Sequence, residues 1–131
     1  MNLTKDYRPR PPSVLDWVRT VLYYLYIAGA TIVLGLWGLP QGLRGRASAN
    51  RVATVWLGQM MGAARVILGL RVEVRGTPPA GDCLIAAKHQ SFLDILALAH
   101  ACPRRAFVMK RAVLNVPIMG WFARKVGCIP I

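Results

Sequence analysis

An uncharged apolar run from Thr20 to Leu39 constrains the fold of this chain more than any other feature. In a helix that rises 1.5 Å per residue, a run of this length extends about 30 Å, the thickness of a bilayer's hydrocarbon core. Pro40 is expected to end the helix. The run predicts a membrane-associated helix over 20–39. Amphipathic rings, which favour the headgroup level, lie toward its two ends at Tyr23, Tyr24, Tyr26 and Trp37.

A secretory signal peptide is the alternative interpretation of this run, because Ala47-Ser48-Ala49 resembles a small-residue cleavage site. The run is too long for a signal peptide, and the polar leader before it, residues 1–19, is also long. Arg44 and Arg46 separate the run from the supposed cleavage site. These features favour a retained segment.

A second helix is predicted from Arg51 to Leu70, where small or basic residues recur every three or four positions. Gly58 and Gly62 form a Gly-x-x-x-Gly pattern, which predicts close approach of another helix. An ordinary amphipathic helix on a soluble core fits this pattern equally well. Because basic residues flank the first run almost evenly, a single span is poorly specified and a membrane-associated hairpin fits better.

The net charge of the chain indicates that its binding partner is negatively charged. Seventeen Lys and Arg against five Asp and Glu give a formal charge of +12, which suits nucleic acid, an anionic membrane or a phosphorylated substrate. A content of 55% hydrophobic residues favours anionic lipid. No nucleic-acid partner is expected, because no zinc spacing or RNA-binding signature occurs.

The cysteines, Cys83, Cys102 and Cys128, are odd in number and widely spaced in apolar surroundings. This pattern predicts reduced, buried thiols and no metal site. A nucleophilic role for Cys102, beside His89 or His100, ranks below ordinary packing.

After Leu70 the periodicity changes to short strands that alternate with helices. The predicted elements are strands at 71–75, 83–87, 106–109 and 128–131, and helices at 91–101 and 117–126, the last ended by Gly127. Ser91 and Asp94 form a capping-box-like start for the first of these helices. Such alternation indicates an α/β fold with a parallel or mixed sheet.

His89 leaves the end of a predicted buried strand, and Asp94 lies one turn into the next helix. A carboxylate that accepts from one imidazole nitrogen fixes the tautomer and stabilises the imidazolium, so the pair can deprotonate an alcohol. The helix that begins near Ser91 also directs backbone N–H groups toward an anion. Taken alone, a loop histidine and a helix-start carboxylate explain the pair better than catalysis does.

The surrounding residues change that balance. The segment resembles the signature block of the glycerolipid acyltransferases, the lysophosphatidic acid acyltransferase family, whose His-x-x-x-x-Asp motif matches His89 and Asp94. Lys88 occupies the position where Asn is usual, and Ala112 one where an acidic residue is frequent. The resemblance covers about half the chain, from Cys83 to the end. It continues through Phe107-Val108-Met109-Lys110-Arg111, Leu114, Pro117, Gly120 and Gly127-Cys128-Ile129-Pro130-Ile131.

The resemblance implies transfer of a fatty acyl group from a coenzyme A or acyl-carrier-protein thioester to the free hydroxyl of lysophosphatidic acid (1-acylglycerol-3-phosphate), giving phosphatidic acid. His89 is then the general base and Asp94 its orienting partner. Ser91 is a helix cap rather than a nucleophile. No metal or cofactor is implied beyond the thioester co-substrate.

Other polar residues have weaker assignments. Lys110 and Arg111 are candidates to attract a phosphate or an acidic carrier, with solvated surface charge as an equal alternative. Arg104 and Arg105 are expected to be surface charge, and His100 structural.

The sequence as a whole predicts an α/β protein in three parts. Residues 1–19 are a basic leader, 20–70 a membrane-associated helical hairpin, and 71–131 the N-terminal half of an α/β acyltransferase domain with a mixed, largely parallel sheet. The expected location is the cell inner membrane, with the active site on the cytoplasmic side. The family's later Arg, Glu-Gly-Thr-Arg and Pro-containing blocks do not occur, so the chain is expected to be truncated and inactive alone. The alternative function is a non-catalytic module that binds anionic lipid at the membrane surface.

Overall fold

The structure is a computed structural model that describes residues 10–78, 81, 83–102 and 105–131. These residues are mostly helical, with one small parallel sheet. In chain order the elements are α1 Val14–Gly42, α2 Arg46–Ile67, α3 Phe92–Ala101, β1 Val108–Met109, a 3-10 helix Arg111–Asn115, α4 Met119–Val126 and β2 Ile129–Pro130. The first nine residues of the predicted leader, and Arg104, lie outside the described part of the chain.

Helix α1 has 29 residues and extends beyond the predicted bounds at both ends. Ser13 starts it, because the Ser13 N–H and hydroxyl both donate to Asp16 Oδ2 at 2.8 Å. Pro40 lies inside the last turn instead of ending the helix, and α1 ends two residues later at Gly42. The predicted bounds were wrong because the lack of charge marks the apolar segment, whereas caps determine the helix ends.

Helices α1 and α2 pack against each other as an antiparallel hairpin. The Tyr23 hydroxyl donates to the Met60 carbonyl at 3.3 Å, and the Trp56 indole N–H donates to Thr31 Oγ1 at 2.9 Å. The later residue of α1 thus pairs with the earlier residue of α2, as an antiparallel arrangement requires. Helix α2 begins five residues before the predicted Arg51, after a connection of three residues.

Glycines of α1 allow the close approach between helices. Gly35, Gly38 and Gly42 are buried on α1. A Cβ at Gly35 would overlap the Ile118 side chain, and a Cβ at Gly38 would overlap Val52 on α2. This face of α1 therefore contacts both α2 and the segment that leads into α4.

The close contact predicted at Gly58 and Gly62 is wrong. No described atom lies within 4 Å of the Cβ position of either glycine. Spacing alone does not indicate which face of a helix packs. The buried face of α2 consists instead of three alanines and three larger residues, Ala49, Val52, Leu57, Met60, Ala63 and Ala64.

The core joins α2 to α3. Met60 and Leu96 are the largest fully buried side chains, and they pack together with Leu57 and Ala99. Phe107, just before β1, packs against the same cluster. Helix α3, whose start carries the candidate catalytic residues, is thereby fixed to the helical hairpin.

Strands β1 and β2 pair in parallel, with Val108 opposite Ile129 and Met109 opposite Pro130. The Ile129 N–H donates to the Phe107 carbonyl at 2.8 Å, and the Ile131 N–H donates to the Met109 carbonyl at 2.9 Å. The sequence predicts the parallel direction of this pair.

The larger predicted sheet is not found in the described residues. Segments 71–75 and 83–87 are exposed and form no strand there. A strand exists only when its backbone groups pair with a neighbour, and neither alternation nor an apolar run specifies that neighbour. The α/β prediction therefore holds in part, for the β1–β2 pair and the helices around it.

Candidate active site

The start of α3 is built around the Asp94 carboxylate. Its Oδ2 accepts hydrogen bonds from the N–H groups of Gln90 at 2.5 Å and Ser91 at 2.7 Å. The Ser91 hydroxyl donates to Oδ1 at 2.9 Å. The predicted capping box is present, with Ser91 as the N-cap. Asp94 therefore holds the backbone on the C-terminal side of His89.

His89 and Asp94 lie together. Nδ1 of the imidazole is 3.7 Å from Asp94 Oδ2, which is longer than a hydrogen bond and close enough for a charge interaction. Because Nδ1 faces the carboxylate, Nε2 is the ring nitrogen left for exchanging a proton with another molecule. The His89 side chain is 62% exposed and the Asp94 side chain 39% exposed, so another molecule can reach the pair from the protein surface.

The hydrogen bonds at the helix start stabilise the anionic form of Asp94. The N–H groups of Gln90 and Ser91, the Ser91 hydroxyl and the nearby His89 lower the pKa of the Asp94 carboxyl below its ordinary value. Asp94 is therefore an anion at neutral pH, and its negative charge lies beside the His89 ring.

Lys110 and Arg111 are exposed and directly follow β1. The Arg111 N–H donates to the Ile131 carbonyl at 2.9 Å, so its backbone continues the pairing of the two strands. In the described structure, no hydrogen bond or ion pair joins either side chain to His89 or Asp94. The structure therefore does not bring these two basic residues into the pair.

Arg105 is buried, which contradicts its prediction as surface charge. Only 8% of the residue is exposed. Its Nη2 donates to Thr54 Oγ1 at 2.9 Å, and its Nη1 donates to the Cys102 carbonyl at 3.2 Å. Burial lowers the pKa of the guanidinium below its ordinary value. No residue near Arg105 in the sequence signals this burial, because the partner that meets its guanidinium is Thr54 on α2.

Other expectations about single residues had mixed outcomes. Cys83 is exposed, so the prediction that all three thiols are buried is wrong, because the strand expected around it does not form. Cys102 and Cys128 are partly buried. His100 is exposed in the last turn of α3, where a basic side chain suits the helix dipole.

An apolar cavity of about 200 Å³ lies among the four helices. Phe92, from the first turn of α3, and Arg105, beyond its last turn, both line it. The cavity therefore extends along α3, from its first turn to the buried guanidinium.

The surface of α1 is strongly apolar. Among the described helices, α1 alone is long and apolar enough to cross a bilayer, with a mean hydropathy of 1.6 in its most apolar window. Only 17% of that window is buried. Large exposed hydrophobic residues of this helix include Trp17, Leu22, Leu25, Val33 and Trp37.

Comparison with known proteins gives the chain its relatives. Residues 71–131 match the family model described as Acyltransferase. The chain is 34% identical over 113 residues to a 1-acyl-sn-glycerol-3-phosphate acyltransferase of Pseudomonas aeruginosa, an alignment that covers 83% of this chain and 44% of that protein. It is 44% identical over 63 residues to a lyso-ornithine lipid O-acyltransferase of Rhodobacter capsulatus, covering 48% of this chain and 22% of that protein.

These alignments cover only part of each relative. The chain spans less than half the length of the curated relatives described above. No solved structure matches the chain.

Proposed function

We propose that this chain belongs to the acyltransferase family whose model residues 71–131 match, and that the protein transfers a fatty acyl group from an acyl thioester to the free hydroxyl of 1-acylglycerol-3-phosphate, giving phosphatidic acid. The contact between His89 and Asp94 carries this proposal. The relatives are named for transfer to two different lysolipids, and the glycerophosphate acceptor is preferred because that relative aligns over most of this chain.

The proposed reaction is a direct transfer. His89 Nε2 accepts the proton of the lipid hydroxyl while the oxygen attacks the thioester carbonyl. The carbon–sulfur bond then breaks, the leaving thiolate takes the proton from His89, and the ester is formed. Asp94 stabilises the imidazolium that exists between the two proton transfers. A thioester is reactive enough that positioning the alcohol, without an acyl-enzyme, suffices.

Ser91 serves in this proposal as a helix cap. Its hydroxyl already donates to Asp94 Oδ1 at 2.9 Å, so it supports the carboxylate that orients His89. Lys110 and Arg111 serve as exposed positive charge that attracts the acceptor's phosphate or an acidic carrier of the acyl group. The acyl thioesters of coenzyme A and of acyl carrier protein can both donate the acyl group.

The helical hairpin supports a membrane location for this reaction. The exposed apolar residues of α1 favour contact with acyl chains, and the net charge of +12 favours anionic headgroups. We place the hairpin in the cytoplasmic leaflet of the inner membrane, where a lysolipid stays in the bilayer while its hydroxyl reaches His89.

A second candidate function rests on the same apolar and basic surface. A membrane-surface module that binds anionic lipid needs α1 and the positive charge, and it needs no base at His89. The two functions therefore differ in the consequence of changing the imidazole.

The test is His89→Ala in the full-length protein, with His100→Ala as the matched control, since His100 is an exposed histidine at the far end of the same helix. Incorporation of labelled acyl groups into phosphatidic acid is expected to fall to background in His89→Ala and to persist in His100→Ala. Both variants are expected to float with liposomes. Incorporation that survives His89→Ala overturns the enzyme proposal and leaves the lipid-binding module.

A further inference from the structure

Within the described part of the chain, the guanidinium of Arg105 is a buried charge whose hydrogen-bond partners are neutral. Three acidic residues lie in the described part of the chain, Asp16, Glu73 and Asp94, and each pairs with a different basic side chain. Within those residues, Arg105 has two neutral acceptors, Thr54 Oγ1 and the Cys102 carbonyl. An arginine has five N–H donors, so three remain for another group.

Such an arrangement favours binding of an anion. A cation removed from water is costly unless an opposite charge or a full set of hydrogen bonds compensates it. The two neutral acceptors around Arg105 supply part of that compensation. A ligand that brings one negative charge supplies the rest.

The charge and the volume of the cavity beside Arg105 indicate what the uncharged part of the ligand is. Among the described residues that line the cavity of about 200 Å³, Arg105 is the one with a charged side chain. Two of its polar groups, the Thr31 hydroxyl and the Trp56 indole N–H, already bond to each other at 2.9 Å. Taking ~30 Å³ for a group the size of a water molecule, the cavity holds roughly six or seven such groups in a row or cluster.

We propose that this cavity binds a fatty carboxylate, with its head on the Arg105 guanidinium and its hydrocarbon chain along the apolar wall toward Phe92. The planar fork of an arginine matches the two oxygens of a carboxylate. A phosphate monoester carries up to two charges at neutral pH, so a single buried arginine leaves it partly uncompensated. The carboxylate head lies at the opposite end of α3 from His89, and its binding does not depend on the proposed acyl transfer.

Octanoate is a suitable probe, because its chain is close to the size of the cavity. Binding is measured by equilibrium dialysis of labelled octanoate against the full chain in nanodiscs of zwitterionic lipid, with empty nanodiscs subtracted. Octanol tests the need for charge, and octyl phosphate tests the choice of anion. Both comparisons use the unmodified protein, so they do not depend on any variant folding.

We expect one octanoate per chain, with octanol bound at least ~10-fold more weakly because it loses a charged hydrogen bond. Octyl phosphate is expected to bind more weakly than octanoate because a single arginine leaves its second charge uncompensated. Arg105→Gln is expected to weaken octanoate binding by a factor similar to that for octanol. The matched control is Arg51→Gln, an exposed arginine on α2. It is expected to leave the affinity unchanged.

Three results overturn the proposal. Equal binding of octanoate and octanol means that the cavity takes any apolar chain, such as the acyl chain of a substrate. An equal loss of affinity in Arg105→Gln and Arg51→Gln means that octanoate adsorbs to the basic surface of the protein. Tighter binding of octyl phosphate than of octanoate replaces the carboxylate by a phosphate ligand.

Discussion

One carboxylate oxygen of Asp94 lies 3.7 Å from Nδ1 of His89 and also accepts two backbone N–H groups at the start of α3. The residue that orients the imidazole is therefore the residue that caps the helix. Any motion of the carboxylate away from His89 has to break hydrogen bonds to Gln90 and Ser91. The helix start makes the orientation of the pair a property of the local backbone.

Asp94→Asn is expected to remove the negative charge beside His89 while keeping the cap of α3. The amide oxygen can still accept backbone N–H groups, but it no longer supplies the negative charge that stabilises an imidazolium. We expect kcat for acyl transfer in the full-length protein to fall by about 100-fold or more, with KM little changed. Thermal unfolding of the variant checks that the fold persists. Activity within a few-fold of wild type in a folded variant contradicts the orienting role of Asp94.

The pKa of the Asp94 carboxyl is expected to lie below its ordinary value of 3.8. Because the pKa is lowered in the folded protein, the stability that this carboxylate contributes is present above the unfolded value and is lost as pH falls through the folded one. A carbon-13 NMR titration of the side-chain carboxyl measures the midpoint. Ser91→Ala removes one hydrogen bond and is expected to raise the midpoint toward 3.8. A wild-type midpoint at or above 3.8 contradicts the geometry of the helix start.

Gly120→Ala is expected to destabilise the protein, because the new Cβ would overlap the backbone carbonyl of Leu114. A backbone group cannot give way as the end of a flexible side chain can, and the expected cost is about 1–3 kcal/mol. The matched control is Gly62→Ala, where no described atom lies within 4 Å of the Cβ position. The control is expected to be neutral or stabilising by up to about 1 kcal/mol. Thermal melts that shift equally in the two variants contradict the packing described here.

Val33→Glu tests the membrane contact of α1, since Val33 is 66% exposed on that helix. A carboxylate within the hydrocarbon region costs about 2–3 kcal/mol, so vesicle binding is expected to weaken by roughly 30- to 150-fold. Val74→Glu is the control, because Val74 is also exposed but lies in the extended segment after α2. Liposome flotation measures both variants. Equal flotation of Val33→Glu and Val74→Glu contradicts burial of α1 in lipid.

Local signals in the sequence were sufficient for several elements. Ser91 and Asp94 predict the start of α3, and Gly127 ends α4 in the left-handed conformation that a glycine accepts. Each of these features depends on residues within one turn of the chain. The proximity of His89 to Asp94 follows from the same short range.

Features that depend on distant partners were not predicted. The burial of Arg105 requires Thr54, 51 residues earlier in the chain, to meet its guanidinium. The packing face of α1 at Gly35 depends on Ile118, which no spacing within α1 reveals. The strands expected at 71–75 and 83–87 needed neighbours, and a propensity for extended backbone does not supply them.

Pro130 has a consequence for how this protein meets other chains. Ile129 and Ile131 direct their N–H groups toward β1, so the position between them points outward, where a proline offers no donor. The missing N–H of Pro130 does not weaken the pairing of β2 with β1. A strand from another chain that approached the outer side of β2 would lack one hydrogen-bond donor there. Within the described residues, the outer side of β2 therefore offers no N–H donor at Pro130 to a further strand that would pair there.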